Sequence, residues 1–202
     1  MHKPKHNVMS NVLIVYATNE GQTLKVAQRI ADVLRAEGHT PHLLDADHPT
    51  QPVDFDRFQI AVVGAPIRAR GYPRSIVRFV REQRSFLERT GAAFFSVGLA
   101  IASRTSDGRA QTLAVVEEFS ESTGWRPHRV ELIAGALPYS KYNFLIRFVM
   151  QRIAAKEGGD TDTSRDYEYT DWNAVDRFAR ELAQSGARAA SAAPRVRLAV
   201  PA

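Results

Sequence analysis

Apolar runs of strand length alternate with segments of helical periodicity along most of the chain. The first run, residues 11–17 (NVLIVYA), is continuous and rich in β-branched residues, which is typical of a parallel strand buried on both faces. Apolar residues then recur every three or four positions from Leu24 to Leu34, and Gly38 follows as a stop signal, which predicts a helix. Four later runs have strand length, at 42–44, 60–65, 92–99 and 129–136. This β-α alternation predicts an α/β fold.

Three more segments have helical periodicity, at 73–89, 109–123 and 171–184, whereas 137–170 interrupts the alternation. Parallel strands joined by right-handed helical crossovers form a three-layer sandwich, with helices on both faces of the sheet. Such a sheet binds ligands in the loops beyond the carboxyl ends of its strands. The search for a site therefore narrows to the loops after the first, third and fourth strands.

The length of 202 residues corresponds to one domain, which we place at 11–184. Residues 1–10 are polar without an apolar period, and 185–202 are dominated by Ala, Pro and Arg, so we expect a flexible N-terminal extension and a disordered C-terminal tail. Five of the 27 basic residues lie in these two ends, and the remaining 22 equal the 22 acids in number. The net charge of +5 is therefore no argument for a nucleic acid partner, and none is predicted.

Composition excludes several kinds of chemistry. The absence of cysteine excludes disulfides, thiolate metal sites and cysteine nucleophiles, and it favours a reducing, cytoplasmic location. The spacing of His39, His42 and His48 matches no metal template, so we expect solvated loop histidines and no metal site. No apolar run approaches the ~18–20 residues that span a bilayer, and we expect neither a membrane span nor a signal peptide.

The loop after the first strand has the chemistry of a phosphate cradle. It consists of Thr18, Asn19, Glu20, Gly21, Gln22 and Thr23. Hydroxyls at both ends, a glycine that allows close backbone approach and free N–H groups at a helix N-terminus together suit a phosphate. The loop has neither the ending of a P-loop nor the G-x-G-x-x-G of dinucleotide folds. An ordinary N-cap at Thr23 beside a turn glycine explains the same residues equally well.

The loops after the third and fourth strands, 66–72 and Gly98 onward, open on the same edge of the predicted sheet. A flat heteroaromatic ring needs two such walls, with backbone amides for its polar edge and an apolar or aromatic side chain for its face. Tyr72 either stacks on such a ring or lines a turn. Arg68 and Arg70 either meet a substrate carboxylate or are solvated loop charges.

Seven strings in this chain resemble a known family. They are YATNEGQT (16–23), GAPIRARGY (64–72), FFSVGL (94–99), WRPHR (125–129), IAGALPY (133–139), GGDTDT (158–163) and YTDW (169–172). In this order and spacing they resemble the bacterial menaquinone-dependent protoporphyrinogen IX dehydrogenases of the flavodoxin superfamily, over about 11–184.

The resemblance implies a flavodoxin-like sandwich with a five-stranded parallel sheet of order 2-1-3-4-5 and an insert after strand five, at about 137–165. It implies FMN as cofactor, with the phosphate in the Thr18–Thr23 loop. The remaining cofactor-binding residues implied are Pro66, Ile67, Arg68, Ser96, Val97, Gly98 and Leu99. Because FMN carries the redox chemistry, no side chain is predicted to be catalytic.

The activity implied is FMN-dependent oxidation of protoporphyrinogen IX to protoporphyrin IX in haem biosynthesis, with menaquinone or ubiquinone in the membrane as electron acceptor. The alternatives are a flavodoxin-type electron carrier, which would need an acidic docking face, and a general quinone reductase that uses NAD(P)H. In the family pattern a serine is common at the positions of Ala17 and Pro66, and a basic residue at that of Asn19. Thr18 and Thr23 still offer hydroxyls to a phosphate, whereas Pro66 removes one backbone donor near the ring.

The insert has the pattern of an interfacial helix. Six of its apolar residues fall within ~140° of arc at helical spacing: Tyr142, Leu145, Ile146, Val149, Met150 and Ile153. The stretch 139–156 carries four basic residues and no acid, which is typical of a helix on an anionic bilayer surface. We therefore expect residues 137–160 to place the protein peripherally on the inner membrane, the alternative being a helix packed on its own sheet. The sequence predicts no oligomeric state.

Overall fold

The computed structural model describes residues 9–68, 71–102, 107–137, 162 and 164–192. Its main sheet has five parallel strands in the order β2-β1-β3-β4-β5. These strands are β1 (Asn11–Tyr16), β2 (Thr40–Asp45), β3 (Ile60–Pro66), β4 (Ala93–Gly98) and β5 (Arg129–Ala134). The predicted fold and strand order are confirmed.

Within the described residues, five α-helices connect or cover these strands. They are α1 (Gln22–Ala36), α2 (Arg74–Glu82), α3 (Arg84–Arg89), α4 (Asp107–Thr123) and α5 (Trp172–Ala192). Helices α1 and α5 share one hydrophobic core with one face of the sheet, while α2, α3 and α4 share a second core with the other face. The result is the expected three-layer sandwich.

Side-chain alternation along the central strands supplies both cores at once. In β1, Val12 and Ile14 belong to the core beneath α1 and α5, while Leu13 and Val15 belong to the opposite core. Successive residues of a strand point to opposite faces, so a strand that is covered on both faces must be apolar at every position. This requirement explains the unbroken apolar run that begins the domain.

The helix predicted over 73–89 is two helices, because the backbone at Gln83 leaves helical geometry with φ −107° and ψ 22°. The break allows Phe86 and Leu87 of α3 to enter the core, where Phe86 lies 5.1 Å from Phe55 between ring centroids. Periodicity along one helix did not reveal this change of direction.

The boundaries of the domain also differ from the expected ones. Helix α5 continues to Ala192, so the expected tail boundary at 185 lies inside a helix. The stretch 187–192 is rich in alanine, the strongest helix former, and Pro194 follows shortly after the helix end. At the other end, Ser10 is buried and its carbonyl accepts a hydrogen bond from the Thr40 N–H (2.9 Å), so it belongs to the sheet edge.

A second, smaller sheet lies at the base of the insert. The strands β6 (Ala136–Leu137) and β7 (Tyr167–Glu168) pair in antiparallel fashion, with Leu137 opposite Tyr167. The interfacial helix predicted within 137–160 lies outside the described residues. Among the helices that the structure does describe, none combines the length and hydropathy needed to cross a bilayer.

Candidate cofactor site

The predicted site residues come together at one edge of the main sheet. Parallel pairing places Tyr16 opposite Gly64, Pro66 opposite Val97, and Gly98 opposite Ala134. The loops that follow β1, β3 and β4 therefore leave the sheet side by side. The sequence-predicted residues 18–23, 66–68 and 96–99 lie in these loops, in the strand ends that lead into them or, for Gln22 and Thr23, in the first turn of α1.

The first loop ends in a helix N-terminus that no side chain caps. Gly21 is the N-cap and has a left-handed backbone (φ 97°), and its N–H donates to Thr18 Oγ1 at 3.1 Å. The first hydrogen bond of the helix runs from the Lys25 N–H to the Gly21 carbonyl (3.0 Å). The N–H groups of the three residues between them consequently have no partner within the helix. The interpretation of Thr23 as an N-cap is wrong, since the helix begins one residue before it.

Charge and hydroxyl groups at this helix end favour an anion. The first turn of α1 carries no acid, and the helix dipole places positive potential at its N-terminus. The Thr18 hydroxyl accepts from the Gly21 N–H and so keeps its own proton for donation. The Thr23 side chain is buried beneath the loop, while Asn19 and Glu20 are exposed. These donors fit a phosphate group.

The second and third loops contact each other across Gly98. The Ile67 N–H donates to the Val97 carbonyl at 2.8 Å, which fixes the start of the second loop on β4. A Cβ atom at Gly98 would lie 3.5 Å from Ile67 Cδ1 and 3.7 Å from Ile101 Cδ1, in ordinary van der Waals contact with both isoleucines, so the side chains of the two loops come together over this position. Arg68 is exposed and closes a tight turn by two backbone hydrogen bonds with Gly71. Arg70 lies outside the described residues.

Tyr72 and Ser96 are turned into the protein. The Tyr72 hydroxyl donates to Ser96 Oγ at 2.9 Å, and the Tyr72 ring stands edge-on to Phe94 and Phe119 at 5.1 and 4.9 Å between centroids. Burial raises the pKa of Tyr72 to about 12, against the opposing effect of the hydrogen bond with Ser96. Tyr72 therefore packs under the second loop, and the hydroxyl of Ser96 is engaged within the core.

The structure adds residues that reasoning from the sequence missed. Gln22 Nε2 donates to Thr170 Oγ1 at 2.9 Å, and the Thr170 hydroxyl donates to the Ala134 carbonyl at 2.7 Å. Thr170, which follows β7 and lies 148 residues from Gln22 in the sequence, therefore contacts the candidate phosphate loop. In the sequence, the only signal for this segment was the string YTDW, which was noted as part of the family resemblance. A resemblance between sequence strings does not show which residues are in contact.

An apolar wall lies beside the third loop. Leu137 is buried, and Leu99, Tyr167 and Tyr169 pack against it. The two tyrosine rings are parallel to within 5° at 6.3 Å between centroids, and the Arg165 guanidinium lies 5.0 Å from the centre of the Tyr167 ring. Such a wall suits the face of a flat, largely apolar ligand.

The three histidines that the sequence analysis considered as possible metal ligands differ in their surroundings. His39 is buried, and burial lowers its pKa, so the expectation of a solvated side chain is wrong for this residue. His42 stands edge-on to Phe58 at 5.3 Å. Among the described residues, no group of three or more His, Asp or Glu side chains could hold a metal ion.

Comparison with known proteins decides the family. The flavodoxin domain model matches residues 13–164. The chain is 34% identical over 171 residues to the protoporphyrinogen IX dehydrogenase (quinone) of Escherichia coli K12, covering 85% of this chain and 93% of that protein. It is 33% identical over 172 residues to the protein of the same name from Leishmania major, covering 85% and 74%. The chain belongs to the protoporphyrinogen IX dehydrogenase (quinone) family of flavodoxin-like oxidoreductases.

Solved structures agree on the fold of this dehydrogenase family member. A short-chain flavodoxin associated with a non-canonical PDU bacterial microcompartment has a TM-score of 0.53 at 15% identity, covering 88% of this chain and 99% of that one. A WrbA-like flavodoxin from Agrobacterium tumefaciens has a TM-score of 0.51 at 11% identity, covering 89% and 98%. Membership in a flavodoxin family identifies the cofactor as a flavin.

Proposed function

We propose that this protein binds FMN and uses it to oxidise protoporphyrinogen IX to protoporphyrin IX, with a membrane quinone as electron acceptor. The names of the relatives supply the reaction. The observation that carries the proposal is the uncapped N-terminus of α1 behind the left-handed Gly21, at the same sheet edge as the loops after β3 and β4. This edge offers phosphate donors and ring walls in one place.

The donor set favours FMN over flavins without a terminal phosphate. In this assignment Thr18, Gly21 and Thr23 contact the phosphate through hydroxyls and backbone N–H groups. The rest of the loop, Asn19, Glu20 and Gln22, completes the turn. The ring lies between the second loop (Pro66, Ile67, Arg68) and the third (Val97, Gly98, Leu99), with Ser96 acting through its backbone position because its hydroxyl bonds Tyr72.

FMN, when bound, supplies two-electron redox chemistry. The chain's own residues bind and orient the ring, and the apolar wall of Leu99, Leu137, Tyr167 and Tyr169 supports a flat substrate beside it. Each hydrogen pair removed from the porphyrinogen macrocycle leaves as two electrons and two protons, and a quinone takes up both to become the quinol. Menaquinone and ubiquinone both satisfy this balance.

The decisive experiment is anaerobic. Purified protein is expected to be yellow, its flavin absorbance should be bleached by protoporphyrinogen IX, and a quinone should restore it. Bleaching by NAD(P)H but not by the porphyrinogen would favour a general quinone reductase. Bleaching by neither, with reversible reduction by a protein donor, would favour an electron carrier.

We further propose a peripheral place on the cytoplasmic side of the inner membrane, through residues 137–160. The support is the sequence of the insert, which combines an apolar arc with Lys141, Arg147, Arg152 and Lys156 and leaves the domain at Leu137, beside Leu99. Basic residues near an anionic surface contribute up to roughly 1 kcal/mol each.

Replacing these four residues by Gln should release the protein from anionic liposomes. Activity with a long-chain quinone in vesicles should fall, whereas activity with a short-chain quinone in solution should be retained. Replacing four exposed basic residues of α2 and α3 by Gln is the matched control in charge: Arg74, Arg78, Arg81 and Arg84. Equal binding by wild type and the insert variant would refute the membrane contact.

A further inference from the structure

One stripe of helix α1 holds the chain that follows the insert. Gln22, Lys25 and Arg29 lie at positions i, i+3 and i+7, which share one face of a helix. Gln22 bonds Thr170, Lys25 Nζ lies 3.1 Å from Glu168 Oε2, and Arg29 makes two bonds of 2.7 and 2.8 Å with Asp176. The N-terminal member of this stripe belongs to the candidate phosphate loop.

The hydroxyl of Thr170 sets the direction of the hydrogen bonds at that end. The Ala134 carbonyl can only accept, so the Thr170 hydroxyl donates to it and must accept from Gln22. Gln22 is thereby required to present its NH₂ group to Thr170. The contact is partly buried, and it fixes the side chain of the first residue of α1, directly after Gly21.

The same segment is fixed to the strand ends that carry the ring walls. The Tyr169 N–H donates to the Gly135 carbonyl, and the Gly135 N–H donates to the Gly98 carbonyl, each at 3.1 Å. Thr170 therefore joins the first turn of α1 to the carboxyl end of β5, and the backbone of its neighbour Tyr169 continues the link through Gly135 to β4.

We propose that Thr170 is a positioning residue for the flavin phosphate. Its hydroxyl holds Gln22, and with it the first turn of α1, so that the free N–H groups are aligned before the cofactor binds. Groups that are already ordered in the free protein lose less entropy on binding, which raises affinity. The inference rests on the proposed function, in which the Thr18–Thr23 loop holds the phosphate of FMN.

Three further contacts separate this role from a merely structural one. The ion pairs Lys25–Glu168 and Arg29–Asp176 do not involve Thr170, and the ring nitrogen of Trp172 also bonds Glu168 at 2.8 Å. The segment around Thr170 should therefore stay attached to α1 when its hydroxyl is lost. The direct effect of that loss is then limited to the two groups that the hydroxyl bonds, the Gln22 amide and the Ala134 carbonyl.

The test compares two ligands on the full chain. Thr170→Val keeps the shape of the side chain and removes the hydroxyl, so the dissociation constant of FMN should rise about fivefold, the effect of one net hydrogen bond. The dissociation constant of riboflavin, which lacks the phosphate, should not change. Thr170→Ser should restore wild-type FMN affinity, and Gln22→Met should reproduce the Val effect without adding to it in the double variant.

Asp176→Asn is the matched control, because Asp176 of α5 bonds Arg29 farther along the same stripe of α1, and it should lower thermal stability without changing the ratio of FMN to riboflavin affinity. If wild type shows no preference for FMN over riboflavin, the phosphate site fails and this inference fails with it. If wild type prefers FMN but Thr170→Val and Gln22→Met leave the ratio unchanged, only this inference is overturned. If Thr170→Val does not fold, the ratio of FMN to riboflavin affinity in Gln22→Met alone decides whether this inference holds.

Discussion

The Tyr72 hydroxyl donates a hydrogen bond of 2.9 Å to Ser96 Oγ, and this bond links the loop after β3 to the middle of β4. Ser96 is fully buried, and the Tyr72 ring packs on Phe94 and Phe119 below the sheet edge. The bond therefore holds the loop after β3 in place from the core side. This role requires no contact between either side chain and a ligand.

We expect Tyr72→Phe to lower the free energy of unfolding by roughly 1–2 kcal/mol, because Ser96 Oγ would remain buried without its donor. Urea unfolding monitored by circular dichroism measures this loss. Replacing both residues, as Tyr72→Phe with Ser96→Ala, should cost less than the sum of the single changes. Strict additivity would contradict the bond.

Burial of the Tyr72 phenol predicts an alkaline limit to stability. Burial raises the pKa of Tyr72 from 10 to about 12, so the neutral phenol is favoured in the folded state. The associated stability is complete below pH 10 and is lost as the pH rises through 12. The melting temperature of wild type should fall over this range by more than that of Tyr72→Phe, and parallel curves would refute the assignment.

Gly64 in β3 is expected to tolerate no side chain. A Cβ atom there would lie 1.9 Å from Phe95 Cζ, so Gly64→Ala forces the ring to move within a filled core. Overpacking of this kind costs about 1–3 kcal/mol of unfolding free energy. The double variant Gly64→Ala with Phe95→Leu should recover part of the loss, and a failure to recover any would show that the backbone itself cannot adjust.

Gly21→Val should reduce FMN affinity by a factor of ten or more, about 1.4 kcal/mol per factor of ten. The backbone at Gly21 has φ 97°, which a β-branched residue adopts only with strain, and the side chain would stand where the phosphate must approach. Gly91→Val is the control, since Gly91 also has positive φ (58°) but lies outside the candidate site. Both variants should lose stability, and only Gly21→Val should lose FMN. Equal FMN affinity in the two variants would place the phosphate elsewhere.

The Arg29–Asp176 pair should make stability depend on acid pH. The hydrogen bonds from Arg29 lower the pKa of Asp176 below its usual range, against the opposing effect of burial. Because the folded-state pKa is the lower one, the contribution is present above the ordinary carboxylate pKa of about 4 and is lost as the pH falls through the folded value. Asp176→Asn should therefore melt at a lower temperature than wild type at pH 7, and the difference should shrink in acid. A difference independent of pH would contradict the pair.

The sequence by itself determined the layered fold and the place of the candidate loops. Continuous apolar strands such as 11–16 require cover on both faces, and parallel strands bring their carboxyl ends to one edge. Hydrophobic periodicity and composition are local properties of the sequence, so they can be recognised without knowing which residues are in contact. For this reason the parallel strands and the place of the loop containing Gly21 at their carboxyl edge were predicted from the pattern, whereas the strand order followed from the family resemblance.

Only the tertiary structure decided which side chains face the site and which brace it. Ser96 and Tyr72 were candidates for ligand contact, yet they bond each other inside the core. Thr170 meets Gln22 across 148 residues, and α3 turns at Gln83 so that Phe86 can pack. Such contacts depend on packing over the whole domain, to which residues far apart in the chain contribute as much as sequence neighbours do. A sequence pattern gives no spatial distance between such residues, so these contacts are known only from the tertiary structure.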